Sequence, residues 1–329
     1  MSGFRVGNTE APRGARVDGH YDSVELVDGT RVQVPLILIN GQHDGPTVFI
    51  GGGIHGDEVN GVRTVIDAAQ AIDPATLHGR ILAVPVQNPI AYRARYRLIT
   101  LNQLDQQNTH RCFPGNPDGD MSDRICHTIL EDLIGASGCA FAIDCHTGST
   151  GSRYPSLVFV STQGPEDAAR KSVDAAMVFG ADIVVKAGGT AGVYALQSML
   201  HMVAVQRGLP AIGCELGTAL PAEERYSTIG TNGVLNVLAQ LDMIPARPVP
   251  PKPVVIEKIF EVRVDRAGIA DYLIKPGQPV TQGQPLARLI DIFGKVVAEP
   301  VSPVTGHVVT RTDWGSLNEG DRICRIGTA

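Results

Sequence analysis

The sequence predicts a three-layer α/β/α domain on a mixed sheet over residues 1–245. A Pro-rich linker, 246–253, joins it to a small all-β domain, 254–329. Three observations predict this. Up to about residue 243, short apolar runs of strand length alternate with segments of helical periodicity, as in a sheet covered by helices. Pro-Ala-Arg-Pro-Val-Pro-Pro-Lys-Pro, from Pro245 to Pro253, favours an extended chain. Beyond it the texture changes to short β-rich runs separated by Gly-Gln, Gly-Lys, Thr-Gly-His and Glu-Gly-Asp turns.

In chain order, residues 1–31 read as an irregular or β-hairpin opening. Arg31 to Asn40 is rich in Val, Ile and Leu and partly alternating, which predicts a strand. Gly41 to Pro46 is a turn, and Val48 to Gly51 a short buried strand. Asp57 to Ile72 fits a helix with Val62, Val65, Ile66 and Ala69 on one face, ended by Asp73-Pro74. Arg80 to Val86 is a further strand. It leads through Asn88-Pro89 into a long loop, about 90–121, and loops of that length in a compact domain are usually functional or disordered. Ser122 is placed to cap a helix running to about Ile134. Ala140 to Cys145 is a strand delivering Asp144, His146 and Thr147 at its end. Then follow a strand at 157–160, a helix at 166–179, a strand at 183–185 and a helix at 194–207 stopped by Gly208 and Pro210. A strand at 211–214 carries Glu215 at its end, and a helix spans 222–241. The tail has two loosely similar halves. Lys275-Pro276-Gly277-Gln278-Pro279-Val280 answers to Gly283-Gln284-Pro285-Leu286, and Thr305-Gly306-His307-Val308-Val309 to Gly320-Asp321-Arg322-Ile323. It holds no Met-Lys-Met or Asp-Lys-Ala turn, so a lipoyl or biotin carrier module is not expected.

Composition narrows the partners. With 43% hydrophobic residues in 329, the chain can bury a sizeable core. A net charge of −6 argues against nucleic acid or an anionic membrane surface as the main partner. There is no apolar h-region at the N-terminus and no run of about 18 apolar residues, so neither a secretory signal nor a membrane span is expected. Six dispersed cysteines without a C-x-x-C pair fit free thiols in a reducing cytoplasm. The expected partner is a small molecule; homo-oligomerisation stays open.

Three polar clusters follow predicted strands, and ligands of open α/β sheets gather at the carboxyl ends of strands. In Gly51-Gly52-Gly53-Ile54-His55-Gly56-Asp57-Glu58, glycines let the backbone turn sharply ahead of an imidazole and a carboxylate, both suited to zinc. Taken alone, the pair also fits a surface His and a Glu favoured by a helix N-terminus. His146, in Ile143-Asp144-Cys145-His146-Thr147-Gly148, is either a hydrogen-bonded core residue or the third member of a His₂Glu zinc set. Asp144 is equally a carboxylate orienting a ligand or a structural strand-end group. Glu215, in Gly213-Cys214-Glu215-Leu216-Gly217, is an exposed loop residue or a general base that later serves as acid. Arg97 and Arg111 are solvated loop residues, or else they polarise a carbonyl and clamp a carboxylate.

Assembled, these residues resemble the succinylglutamate desuccinylase/aspartoacylase family, related to the zinc carboxypeptidases. Four segments carry the likeness: Gly52 to Glu58; Asn108-Thr109-His110-Arg111-Cys112-Phe113-Pro114-Gly115; Asp144 to Gly148; and Glu215-Leu216-Gly217. The order matches over about residues 30–243, and the β-rich tail is similar to the family's C-terminal domain. The resemblance implies a zinc carboxypeptidase-like fold and one zinc per chain on His55, Glu58 and His146. It implies Glu215 as general base, Arg97 as the arginine that polarises the carbonyl, and Arg111 as a substrate-carboxylate binder. The implied activity is removal of an N-acyl group from a small amino acid or derivative, with the tail narrowing the entrance. The branch acting on acetylated diamino acids is the nearer in texture. One departure stands out: the family usually has Asn where this chain has His110, beside a loop from Leu98 to Gln107 that is a few residues longer. That leaves the metal set intact and bears on substrate identity. The alternatives are a metallocarboxypeptidase or cell-wall amidase with an open groove, and a non-catalytic binding protein on the same fold.

Overall fold

The computed structural model describes residues 3–98, 108–187 and 198–329. The chain opens with β1 (Phe4–Val6), β2 (Thr9–Ala11) and β3 (Ala15–Glu25). Next come β4 (Arg31–Asn40), β5 (His43–Gly52), α1 (Val59–Ala71), β6 (His78–Val84), α2 (Pro89–Ala94) and α3 (Met121–His127). The centre holds β7 (Cys139–Gly148), β8 (Ser152–Ser161), α4 (Glu166–Phe179), β9 (Ile183–Ala187), α5 (Leu200–Gln206), β10 (Ala211–Thr218) and α6 (Glu224–Gln240). The tail adds β11 (Val254–Ile256), β12 (Lys258–Arg263), β13 (Gly268–Tyr272), β14 (Pro279–Val280), β15 (Ala287–Ile290) and β16 (Val296–Ala298). It closes with β17 (Gly306–Thr312), β18 (Ser316–Leu317) and β19 (Arg322–Thr328).

One mixed sheet runs β12-β19-β17-β8-β10-β7-β5-β6-β4-β3, with β9 beside β8 and β11 beside β9. Its centre is parallel: β6, β5, β7 and β10 run the same way, and β8 returns antiparallel on β10. Strand period decides what each face carries. In β7, Phe141, Ile143 and Cys145 point into a core shared with α1, α4 and α6, while Ala142 points to the opposite face. Asp144 and His146 therefore face the second side with Ala142. In β10, Ile212, Cys214 and Leu216 enter the first core, leaving Gly213 and Glu215 on the same side as Asp144 and His146. Three site residues, Asp144, His146 and Glu215, thus share one face because apolar residues at alternate positions claim the other.

The structure differs from the sequence expectation at several points. β7 and β10 run on to Gly148 and Thr218, so His146 and Glu215 lie within strands, not after them. The ladder continues there because β10, held between β7 and β8, pairs with both as far as Thr218. The expected loop at 90–121 contains α2 and a 3₁₀ turn, Thr109–Arg111. Pro89 presets the first turn of α2, Asn88 Oδ1 accepts from the Ala91 N–H, and Arg95 ends the helix at φ 52°. Asp120, not Ser122, caps α3, because its carboxylate reaches the Asp123 N–H; the Ser122 hydroxyl instead meets that of Thr109 at 3.2 Å. The helix continues as π turns, Thr128–Gly135. α1 starts at Val59, since Asp57 is drawn away to the Thr150 hydroxyl and N–H. α5 starts at Leu200; residues 194–197 of the expected helix, and 99–107 of the long loop, lie outside the described residues.

Residues 245–253 form neither helix nor strand. The β-rich tail has its own core of Val262, Ile274, Leu286, Leu289, Val308, Ile323 and Ile326. It also extends the main sheet, which the sequence did not foreshadow: Arg311 and Thr312 pair with Arg153 and Ser152 at the start of β8. A fourth apolar cluster, including Leu157, Phe159, Val185, Ile256 and Val309, seals that seam. All six cysteines are free. Among the described residues no helix is long and apolar enough to cross a membrane.

A candidate metal centre and its cavity

The loop between β5 and α1 sets the first two site residues. Gly53 turns at φ +62°, and Gly56 packs so tightly that a Cβ there would lie 1.8 Å from the Ala91 carbonyl oxygen. This close fit buries His55 and Glu58, each 1% exposed. His55 Nδ1 stands 2.7 Å from Glu58 Oε1, and His146 Nδ1 stands 2.9 Å from Glu58 Oε2. The outer nitrogens are fixed from behind. His55 Nε2 lies 2.9 Å from Asn108 Oδ1, and His146 Nε2 lies 2.8 Å from Asp144 Oδ2. Gln87 in turn donates to Asp144 Oδ1 at 2.8 Å. Outer partners of this kind set ring orientation and tautomer in metal-binding histidines.

The set fits a small divalent cation. One ligand atom from each of His55, Glu58 and His146 lies within 4.8 Å of the others. His55 Nδ1 makes no hydrogen bond despite its 2.7 Å approach to Glu58, so the contact is short but off the line a shared proton needs. Two imidazoles and a carboxylate converging this way match the nitrogen and oxygen donors of a three-ligand site. His110, Asp144 and His146 meet the same distance criterion. They share His146, however, whose Nε2 proton is the one Asp144 accepts, so this second set reads as the frame of the first.

Electrostatics agree. Burial works to raise the Glu58 carboxyl, but the His55 and His146 imidazoles hold it well below the usual range. Burial works to lower His146, and Asp144 and Glu58 overcome it, so the ring is held well above an ordinary histidine. Burial also works to raise Asp144, yet His146 and His110 hold it well below. Glu215, paired in register with His146 across β7 and β10, behaves oppositely. Burial, with the Glu58 charge adding, pushes it up to about 8, and its Oε2 has no hydrogen-bond partner.

These residues open on a cavity of about 170 Å³ lined by His55, Arg97, His110, Arg111, His146 and Glu215, among others. All eight residues expected from sequence are therefore gathered: seven of them at or beside the metal set, and Arg111 at the exposed side of the cavity. Arg97 sits differently from expectation. Its Nη1 donates to Glu58 Oε1 at 2.6 Å, because that buried carboxylate is the strongest local anion. His110 fills the usual Asn position with its Nε2 3.1 Å from Asp144 Oδ2. Residues the sequence reading did not assign are Gln87, Asn108, His201, Arg322 and Arg325. Asn108 stands in a quoted motif. Gln87 directly precedes Asn88-Pro89. His201 breaks an apolar run, Leu200-His201-Met202-Val203. Nothing local distinguishes the two tail arginines.

Comparison with known proteins adds to this geometry. A family model for the succinylglutamate desuccinylase/aspartoacylase catalytic domain matches residues 44–241. The N-alpha-acetyl-L-2,4-diaminobutyric acid deacetylase of Halomonas elongata is 27% identical over 306 residues, 90% of this chain and 85% of that protein. Among solved structures, the product-bound ectoine utilization protein EutE (DoeB) of Ruegeria pomeroyi is similar at TM-score 0.86 and 22% identity, over 100% of both chains. The succinylglutamate desuccinylase/aspartoacylase structure from Rhodobacter sphaeroides reaches TM-score 0.83 at 22% identity, over 100% of this chain and 97% of that one. At such identities the two structures speak for the fold alone.

Proposed function

Because the chain belongs to the succinylglutamate desuccinylase/aspartoacylase family, we propose that it hydrolyses the amide bond of a small N-acyl amino acid, with one zinc ion held by His55, Glu58 and His146. The observation that carries this reading is the convergence of two Nδ1 atoms on the two oxygens of a buried Glu58. Zinc bound there supplies Lewis acidity and makes a water acidic near neutral pH.

The chain's own groups do the rest. Glu215, beside His146 on the same sheet face, takes a proton from the attacking water and delivers it to the departing amine nitrogen. Asp144 holds His146 in one tautomer, and Asn108 does the same for His55. Arg97 stabilises negative charge developing on the acyl oxygen; sharing of the Glu58 charge with a cation loosens the ion pair that holds Arg97 in place. Arg111 receives the substrate carboxylate. A cavity of about 170 Å³ with tail residues in its wall supports a small substrate over a polypeptide or cell-wall strand. The Halomonas relative makes N-acetyl diamino acids the first class to try.

Zinc-loaded protein incubated with N-acetyl, N-succinyl and N-formyl amino acids should release free amine from at least one group. Protein purified without chelators should carry about one zinc per chain. Less than about half an equivalent, or no amine release from any panel member, would overturn the reading.

A further inference from the structure

His201 is used by nothing in the mechanism above. It lies in the first turn of α5, is 2% exposed, and lines the cavity. Neither ring nitrogen has a hydrogen-bond partner among the described residues. Its position depends on Gly213: a Cβ there would fall 2.5 Å from His201 Nδ1, so the bare strand leaves room for the ring. His110 stands nearby with 6.3 Å between ring centroids, its Nε2 turned toward Asp144 Oδ2 at 3.1 Å. Buried polar atoms are ordinarily satisfied, and unpartnered ones on a cavity wall point to a ligand group.

Gly213 pairs with Asp144, so His201 lies over the sheet face that carries this carboxylate. Asp144 and Glu215 are the nearby carboxylates. Arg322 and Arg325 also line the cavity, reaching it from β19. An anionic substrate arm is opposed beside the Asp144 carboxylate. The unpartnered His201 imidazole, beside the Asp144 carboxylate, suits a hydrogen-bond donor of positive charge. Burial supports this, pushing His201 down to about 4, so that ring does not compete as a cation.

We propose that His201, assisted by His110, is the specificity-determining pair that receives an amino-bearing side arm of the substrate. The enzyme therefore prefers N-acyl diamino acids to N-acyl amino acids with apolar, hydroxyl or carboxylate arms. This rests on the deacylase reading above and assigns residues to a choice that reading leaves to the substrate panel.

The test compares kcat/KM of zinc-loaded protein on Nα-acetyl-2,4-diaminobutyrate, Nα-acetyl-2-aminobutyrate, N-acetylhomoserine and N-acetylaspartate. The wild type should favour the diamino compound over its aminobutyrate analogue by about tenfold or more, as a site built to hydrogen-bond one group rejects a substrate lacking it. In His201→Leu that ratio should fall toward one; in His110→Asn it should fall part of the way. His201→Gln, which keeps an acceptor, should retain part of it. Calorimetric titration of the wild type with free 2,4-diaminobutyrate and 2-aminobutyrate gives the same comparison without turnover and without relying on a variant that folds. Equal treatment of the two compounds, a preference for the hydroxyl or carboxylate arm, or an undiminished ratio in His201→Leu would overturn the assignment while leaving amide hydrolysis standing. Failure to hydrolyse any of the four and the wider panel would bring down the deacylase reading, and this assignment with it.

Discussion

Glu58 is the residue on which the site converges: both imidazoles, the Arg97 guanidinium and the Thr147 N–H all approach its two oxygens. A carboxylate buried this deeply is tolerable only because its partners are already in place. Glu215 has no such company, and that contrast sets its protonation. With its carboxyl raised to about 8 by burial, it carries a proton at pH 7 in metal-free protein. A divalent cation beside it favours the carboxylate, so cation binding should release that proton. Calorimetry of zinc binding in buffers of different ionisation enthalpy should show Glu215→Gln releasing about one proton fewer per zinc at pH 7. The same variant should keep its zinc and lose about 10²–10⁴-fold in kcat. Near-normal turnover would remove Glu215 from the role of base. The type and order of these residues were legible in the sequence. The pairing of Arg97 with Glu58 was not, because an arginine at the edge of a long loop has no periodicity to reveal its target.

The elements act by presenting the residues in register. β7 and β10 place His146 opposite Glu215, and Asp144 opposite Gly213, so two strands far apart in sequence build one wall. The turn from β5 into α1 supplies the rest, and its precision comes from contact with α2. A methyl at position 56 would meet the carbonyls of Ala91 and Tyr96 at 1.8 and 2.5 Å. Gly56→Ala must therefore shift α2 and the segment leading to Arg97. Urea denaturation of the metal-free protein should show a loss of about 1–3 kcal/mol, with weaker zinc binding beside it. Unchanged stability and zinc affinity would mean the packing at α2 does not hold the loop. The central strands could be read from their apolar runs, since each buried strand needs them. α2 could not: six residues hold too few turns to show a period, and only Asn88-Pro89 marked its start.

At the scale of the whole molecule, the tail is joined to the site by the sheet itself. Arg322 and Arg325 reach the cavity from β19, held by Glu261 at 3.4 and 3.2 Å. Arg325, whose side chain is 12% exposed, should act on substrate binding more than on chemistry. Arg325→Gln should raise KM about tenfold with kcat little changed, measured by steady-state kinetics on the preferred substrate. An equal loss in kcat and kcat/KM would place it at the transition state instead.

The sequence by itself determined the layered α/β architecture and the β-rich tail, and it named the residues that converge as a candidate metal set. Apolar periodicity and close-set polar motifs are local properties, written into a few neighbouring residues. Only the tertiary structure decided that the tail's strands continue the main sheet. The same holds for His201 lying over Gly213, and for Arg322 and Arg325 of the tail lining the cavity. Those facts depend on register and packing between separate elements, for the tail between segments more than a hundred residues apart, such as Ser152 against Thr312, where no local pattern records the partner.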